Sequence, residues 1–318
     1  MEKNAKIYIA GHRGLVGSAI KRNLEKQGYN NIIYKTHQEL DLTNQEATKH
    51  FFETEKPEYV FLAAAKVGGI MANLTQPAEY IYSNLEVQNN VMHYAYLSWV
   101  KKLMFLGSSC IYPKECPQPI KEEYLLTWPL EETNLPYAIA KIAGIKMCQS
   151  YNRQYGTNFI ACMPTNLYGP NDNFDLNSSH VFPAMIRKFH EAKINNLPEV
   201  VLWWDGSPYR EFLHVHDVAD AIVFLMDNFN PTKQQNEAGD IMFNIGTGRD
   251  ITIKDLAERM KKIVGYEGKI NWDTNKPNGT PRKLMNVDKL HNAWRKHTIA
   301  LEDWIKETYE WFLENYKA

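Results

Sequence analysis

Short apolar runs alternate with longer amphipathic stretches through the first half of the chain, and that alternation predicts its elements. Residues 6–10 read as a strand and 15–27 as a helix. Residues 31–34 read as a strand, 45–55 as a helix and 59–63 as a strand. Residues 84–99 form a helix, 102–106 a strand, 137–155 a long helix and 159–163 a strand. Strands that alternate with helices pair in parallel through right-handed crossovers. The expected fold class is α/β, a doubly wound parallel sheet.

Beyond Pro164 the pattern loosens. Loops lengthen, Trp, Pro, Asn and Gly accumulate, and residues 164–179 and 271–283 lack clear periodicity. Long loops of this kind in compact proteins are often binding loops. The shift predicts a sheet domain over residues 1–165 and a smaller C-terminal α/β lobe for substrate over 166–318. Residues 217–228 read as a helix that can return to the first domain.

Composition narrows the function classes. Hydrophobic residues make up 44% and charged residues 23% of 318 residues, a globular balance. The formal net charge of -1 gives no global basic field for nucleic acid or an anionic membrane. The apolar stretch at residues 7–10 is too short for a signal core or a membrane span. A soluble, cytoplasmic protein is expected. The four cysteines form no CxxC pair, so no metal site is expected, and a reducing compartment would keep them as thiols.

The first strand runs into Gly11-His12-Arg13-Gly14-Leu15-Val16-Gly17, which opens a helix. Glycines there allow a tight turn and close approach of backbone to a pyrophosphate, and the helix N-terminus faces the phosphates. The strand–turn–helix context makes this a Rossmann-type dinucleotide loop. An NAD enzyme would place an acid at the end of the second strand. Here that strand ends Tyr34-Lys35-Thr36-His37, with no acid before Glu39. Arg13, Lys35 and protonated His37 would instead attract a 2′-phosphate, which favours NADP(H). Asp41, beside Leu42, can accept a hydrogen bond from an adenine amino group. Ala63, Ala64 and Ala65 leave room against the end of the third strand.

Tyr137-Ala138-Ile139-Ala140-Lys141 places a phenol and an ammonium one helical turn apart. A nearby cation favours the phenolate, so Lys141 is expected to lower the Tyr137 pKa. Strand four exits through Leu106-Gly107-Ser108-Ser109-Cys110, where Ser108 can orient a carbonyl against the tyrosine. An adjacent Asp-Glu pair for elimination is lacking, which disfavours dehydration. In extended chain Ser108 and Cys110 point the same way. A thiol so placed can exchange a carbon-bound proton beside a ketone; the bland alternative is a buried structural thiol.

The glycine loop with Ser108, Tyr137 and Lys141 resembles the short-chain dehydrogenase/reductase family. The length and C-terminal lobe resemble its extended branch, which acts mainly on nucleotide sugars. The stretches at residues 10–14, 64–70, 107–113, 136–144, 164–170, 177–181, 210–215 and 276–283 look like the GDP-L-fucose synthase family, and the resemblance spans nearly the whole chain. It implies epimerisation of GDP-4-keto-6-deoxy-D-mannose on both sides of its ketone, then reduction by NADPH. By that likeness Cys110 is the base, His180 the acid, and Tyr137, Lys141 and Ser108 carry the reduction.

The likeness also implies cofactor contacts from the glycine loop, Lys35, His37, Asp41, Leu42, Ala64, Leu106, Gly107, Lys141, Pro164, Thr165, Asn166, Leu167 and His180. The GDP-sugar would meet Ser109, Asn166, Lys188, Trp203, Arg210, Asn278 and Arg282. His37 stands where the family is expected to offer Arg, and Asn278 where it is expected to offer an acid. A homodimer through residues 84–99 and 137–155 is implied as well. Two alternatives stay open: a related nucleotide-sugar epimerase or reductase, such as a 4-epimerase that retains NAD, and a non-enzymatic NAD(P)-binding regulator. An intact Tyr/Lys pair weighs against the regulator.

Overall fold

The computed structural model describes residues 1–275, 280–293 and 300–316. In chain order its first half runs β1 (Ile7–Ala10), α1 (Leu15–Lys26), β2 (Ile32–Ile33), α2 (Gln45–Glu55), β3 (Tyr59–Leu62), α3 (Ile70–Thr75), α4 (Pro77–Leu97), β4 (Lys102–Leu106), α5 (Leu135–Tyr155) and β5 (Phe159–Pro164). The second half adds β6 (Asn166–Tyr168), α6 (Val181–Ile194), β7 (Glu199–Trp203), β8 (Tyr209–Arg210), β9 (Phe212–His214), α7 (Val215–Asn228), α8 (Lys233–Ala238) and β10 (Met242–Ile245). It closes with β11 (Ile251–Thr252), α9 (Ile253–Val264), β12 (Lys269–Asp273), β13 (Arg282–Lys283), α10 (Asp288–Ala293) and α11 (Leu301–Asn315).

Six strands form one sheet in the order β10-β5-β4-β3-β1-β2, every pair parallel. β1, β3, β4 and β5 are buried along their whole length, as strands covered on both faces must be. One face packs on α2, α4 and α5 through Phe52, Val91, Phe105 and Ile145. The other packs on α1 and α7 through Ile20, Leu24, Val218, Ile222 and Leu225. The chain leaves β1 for β2 on one side and returns to β3 on the other. The β1/β3 crevice is therefore the topological switch point, where open α/β sheets bind ligands.

The sheet and its helices also draw on residues beyond 165. β10 adds the sixth strand, with Phe243 opposite Cys162, and α7 covers the second face. Buried Lys102 fixes α7 in place by donating to the carbonyls of Leu225 (2.9 Å), Met226 (2.9 Å) and Phe229 (2.5 Å), a cation on a helix C-terminus. One expected helix also grows, α4, which begins at Pro77, and α3 precedes it unforeseen.

The remaining elements build the smaller lobe. Its core joins Phe182 and Phe189 of α6, Leu256 and Met260 of α9, and Trp304 and Phe312 of α11. β8 sits between β11, antiparallel, and β13, parallel. β6 pairs with β9, so the chain leaving β5 is stitched at once to the segment that carries Arg210 and Glu211. Among the described residues no helix is long and apolar enough to cross a membrane.

Candidate active site

The glycine loop lies in the switch-point crevice. Gly11 has φ +84°, and a Cβ there would sit 2.7 Å from the Ala64 nitrogen, so only glycine fits. A Cβ on Gly17 would overlap the Gly11 carbonyl oxygen, which is how α1 approaches the strand so closely. Gly14 caps α1 without a side-chain hydrogen bond, and the first turn carries no acid. The free N–H groups and positive helix end therefore face outward for an anion. These features fit a dinucleotide pyrophosphate.

Around the rim, His12 stacks on Tyr34 at 4.5 Å. Arg13 is exposed and Lys35 half-buried, and their charges both act on Glu39. The Glu39 carboxylate is taken by the Thr36 N–H and hydroxyl, each at 2.7 Å. His37 is exposed, 3.7 Å from Asp41. Asp41 accepts from the Thr43 N–H and hydroxyl at 2.9 and 2.7 Å. Leu42 is buried in the sheet core, and its carbonyl accepts from Asn90 at 2.9 Å.

Tyr137 opens α5 just after Pro136, and Lys141 follows one turn later. Lys141 is buried and donates to the Leu106 carbonyl at 2.7 Å; its Nζ lies 5.8 Å from the Tyr137 ring centroid. Burial lowers Lys141 to about 8. The expected depression of Tyr137 does not occur. Burial pushes its phenol up, the Cys110 charge adds to that, and a Ser108 hydrogen bond only partly offsets them. The ammonium is held by a carbonyl instead of the phenol oxygen, so Tyr137 stays a protonated donor.

After Gly107, which fits tightly against the Cys162 carbonyl, the chain turns. Residues Ser109–Ile111 form one 3-10 turn, so the extended geometry expected for Ser108 and Cys110 is absent. The turn brings them together all the same: Ser108 Oγ accepts the Cys110 N–H at 3.2 Å. Cys110 is half-buried, whereas Cys116, Cys148 and Cys162 are buried. Burial pushes the Cys110 thiol up, but Lys283, the Ser108 hydrogen bond and Arg210 outweigh it and leave its pKa below the ordinary value. The other three thiols are all raised by burial. Ser109 is buried and, with Cys110, Tyr112, Asn134, Thr280 and Lys283, lines one cleft.

The substrate-side cations divide. Arg210 is desolvated toward Cys110 and donates to the Tyr209 carbonyl at 2.8 Å. Lys188 lies 5.9 Å from the Trp203 ring and donates to the Val201 carbonyl at 3.0 Å, so these two sit together as expected. Arg282 does not join them. Its guanidinium is clamped by Asp250 at 2.6 and 3.2 Å. Strand alternation turns the next residue the opposite way, and Lys283 donates to the Cys110 sulfur at 3.4 Å.

Asn278 lies outside the described residues. Pro164 ends β5, Thr165 and Asn166 bond to the Glu211 carbonyl at 3.2 and 2.8 Å, and Leu167 pairs with Leu213. His180 is the N-cap of α6, and desolvation of its ring by the surrounding protein, then the Lys283 charge, lower its pKa. Lys283 and Glu211 were both missed by sequence reasoning. A two-residue strand carries no periodic signal, and Glu211 sits between the charged Arg210 and the start of a short apolar run at Phe212.

A model of the NAD dependent epimerase/dehydratase family matches residues 7–246. The chain is 58% identical over 314 residues to GDP-L-fucose synthase 1 of Arabidopsis thaliana, covering 99% of this chain and 95% of that protein. It is 52% identical over 311 residues to the GDP-L-fucose synthase of Escherichia coli (strain K12), covering 98% and 97%. Among solved structures it is similar to a GDP-D-glycero-L-gluco-heptose synthase from Campylobacter jejuni in the presence of NADPH, with a TM-score of 0.92, 43% identity and 98% and 99% coverage.

Proposed function

We propose, from the premise that this chain belongs to the NAD dependent epimerase/dehydratase family, that it acts as a GDP-L-fucose synthase. GDP-4-keto-6-deoxy-D-mannose is epimerised at C3 and C5, and its 4-ketone is then reduced with NADPH to give GDP-L-fucose. Relatives that carry this name match almost the full chain. The observation that carries the reading at the site is the joint placement of Ser108, Cys110 and Tyr137 at one strand exit, with the thiol as the one depressed cysteine of four.

A ketone at C4 acidifies the C–H bonds on both sides, so one base beside it serves both epimerisations. Cys110 as thiolate takes the proton, the C–H electron pair moves into the enolate, and negative charge develops on O4. Hydrogen bonds from Ser108 and Tyr137 stabilise that charge. His180 returns a proton from the other face, and exchange with solvent takes the proton off Cys110 and restores the one on His180 before the second carbon reacts. The glycine loop, with Arg13 and Lys35 toward the 2′-phosphate, would hold NADPH, which would supply the hydride for C4. Tyr137, kept protonated by its burial, gives its proton to O4. The Lys141 ammonium stabilises the phenolate left behind. Arg210, Lys188 and Trp203 form the GDP side of the cleft, with Lys188 and Arg210 as counter-charges to the diphosphate.

The likeness to the heptose synthase favours a second reading, in which the sugar is a GDP-heptose. Product analysis separates the two. Purified protein, NADPH and GDP-4-keto-6-deoxymannose in deuterated water should yield GDP-L-fucose with deuterium at C3 and C5. Recovery of unchanged substrate would refute the first reading. The protein is further read as a cytoplasmic homodimer that pairs through α4 and α5, where Tyr82, Leu97 and Tyr155 are exposed.

A further inference from the structure

We propose that Lys283 is the positioning residue that holds Cys110 as a thiolate before substrate arrives. This rests on the reading of Cys110 as the epimerisation base. Lys283 Nζ lies 3.4 Å from Cys110 Sγ, in direct hydrogen-bond contact for a sulfur acceptor. Two independent constraints put it there. β13 pairs in parallel with β8, so Lys283 stands beside Arg210 in register. Two residues on, the Met285 N–H donates to the buried Glu211 carboxylate at 3.0 Å, which pins the exit of β13. Arg282, whose side chain points the other way, is spent on Asp250.

The groups that face Cys110 come from four segments. Ser108 lies on its own turn, Tyr137 on α5, Arg210 on β8 and Lys283 on β13. In the same cleft Lys114 and Glu131 are paired at 3.1 Å and neutralise each other. Arg210 also carries positive charge, but its guanidinium bonds to a backbone carbonyl while the ammonium touches the sulfur. Lys283 also bears on His180 and disfavours the imidazolium in the free enzyme. The enolate charge that forms on O4 opposes that bias, so protonation of His180 becomes easier only after Cys110 has acted.

The test is the pH dependence of Cys110 alkylation by iodoacetamide in the intact, substrate-free protein, with the modified peptide located by mass spectrometry. The three buried cysteines are internal controls. In the parent protein the inflection should lie below the ordinary thiol value of about 8.5. In Lys283→Met it should rise by about 1 unit or more, as loss of a contacting charge requires. Lys283→Gln, which keeps length and a donor without charge, should show the same rise if the Met variant does not fold. Lys283→Arg should restore a low inflection. An inflection in either neutral variant within about 0.3 of a unit of the parent overturns the proposal. Since no substrate is present, an unchanged titration in a protein that makes GDP-L-fucose refutes this inference alone. The expected shift in a protein that makes no GDP-L-fucose refutes the functional reading alone.

Discussion

Glu211→Gln tests how the substrate lobe is held over the sheet. Glu211 is fully buried. Its Oε1 accepts the N–H groups of Thr247 at 2.5 Å and Gly248 at 2.7 Å, with the Thr247 hydroxyl at 3.2 Å. Its Oε2 accepts the Met285 N–H at 3.0 Å. One carboxylate thus ties the turn after β10 to the end of β13. Glutamine keeps one acceptor oxygen but sets an NH2 against one of these donors. Bonds to a charged acceptor contribute about 1.5–3 kcal/mol and neutral ones about 0.5–1.5, so the two N–H bonds at Oε1 weaken by about 1 kcal/mol each. The stranded Met285 N–H costs about 1–3 kcal/mol more. Glutamine also avoids desolvating a charge, which offsets part of the loss, and the net destabilisation expected is about 2–4 kcal/mol.

The assay is urea unfolding followed by tryptophan fluorescence at several pH values. Burial raises the Glu211 carboxyl above its ordinary range, despite its backbone donors. The folded protein then holds a proton that the unfolded chain releases, so this group's contribution falls as pH rises from the unfolded value through the folded one. Glu211→Gln should remove that part of the slope. A variant within about 0.5 kcal/mol of the parent at neutral pH would refute the clamp, since surface substitutions alone reach that size.

Three further outcomes are expected. Arg13→Ala should weaken NADPH by about 10-fold to 100-fold, the worth of one charge-assisted pair, and leave NADH nearly unchanged; equal losses would remove Arg13 from the 2′-phosphate. Tyr137→Phe should slow reduction by about 10²–10⁴-fold while solvent deuterium still enters the sugar, because the base is intact; near-normal reduction would exclude Tyr137 as donor. Cys110→Ser should lose that deuterium uptake and either stall or reduce the unepimerised ketone, whereas His180→Gln should slow only reprotonation; normal product from Cys110→Ser at the parent rate would leave Cys110 a packing residue.

The parts of the fold that repeat were legible in the chain. Alternation of buried strands with longer helices placed β1, α2, β4 and α5 to within a few residues, because a strand covered on both faces is a short continuous apolar run and each helix is a longer segment with buried and exposed positions. The sixth strand was not legible. Met242–Ile245 is a four-residue strand, interrupted by the polar Asn244 and far from its neighbours in sequence, and only its parallel pairing with β5 reveals its place. The glycine loop could be read because sterics dictate its residues one by one. The sign of the Tyr137 shift could not, because it depends on which oxygen the Lys141 ammonium reaches, and that oxygen is the Leu106 carbonyl. Lys283 and Arg282 are adjacent cations with no local difference between them. Their partners, Cys110 and Asp250, are set by the alternation of a strand that exists only through its pairing with β8.

The same electrostatics bear on the order of the two chemistries. The Cys110 charge is among the causes that hold the Tyr137 phenol up. While Cys110 is a thiolate, Tyr137 grips its proton and can donate a hydrogen bond to the enolate without transferring the proton to it. On the proposed function, once Cys110 has taken a C–H proton its charge is gone, and Tyr137 releases its own proton more readily to the oxygen that reduction leaves behind. Reduction is thereby easier after the thiol has acted than before. In Cys110→Ser the negative charge is missing throughout while burial, the larger cause, remains, so Tyr137 stays protonated and is from the start the phenol that the parent presents only after its thiol has acted. Single-turnover NADPH oxidation with the 4-keto sugar should therefore begin without the lag that proton abstraction imposes in the parent. A lag of equal length in the variant, or no reduction at all, would mean that the thiolate and the phenol do not communicate, and that the order is set by substrate geometry instead.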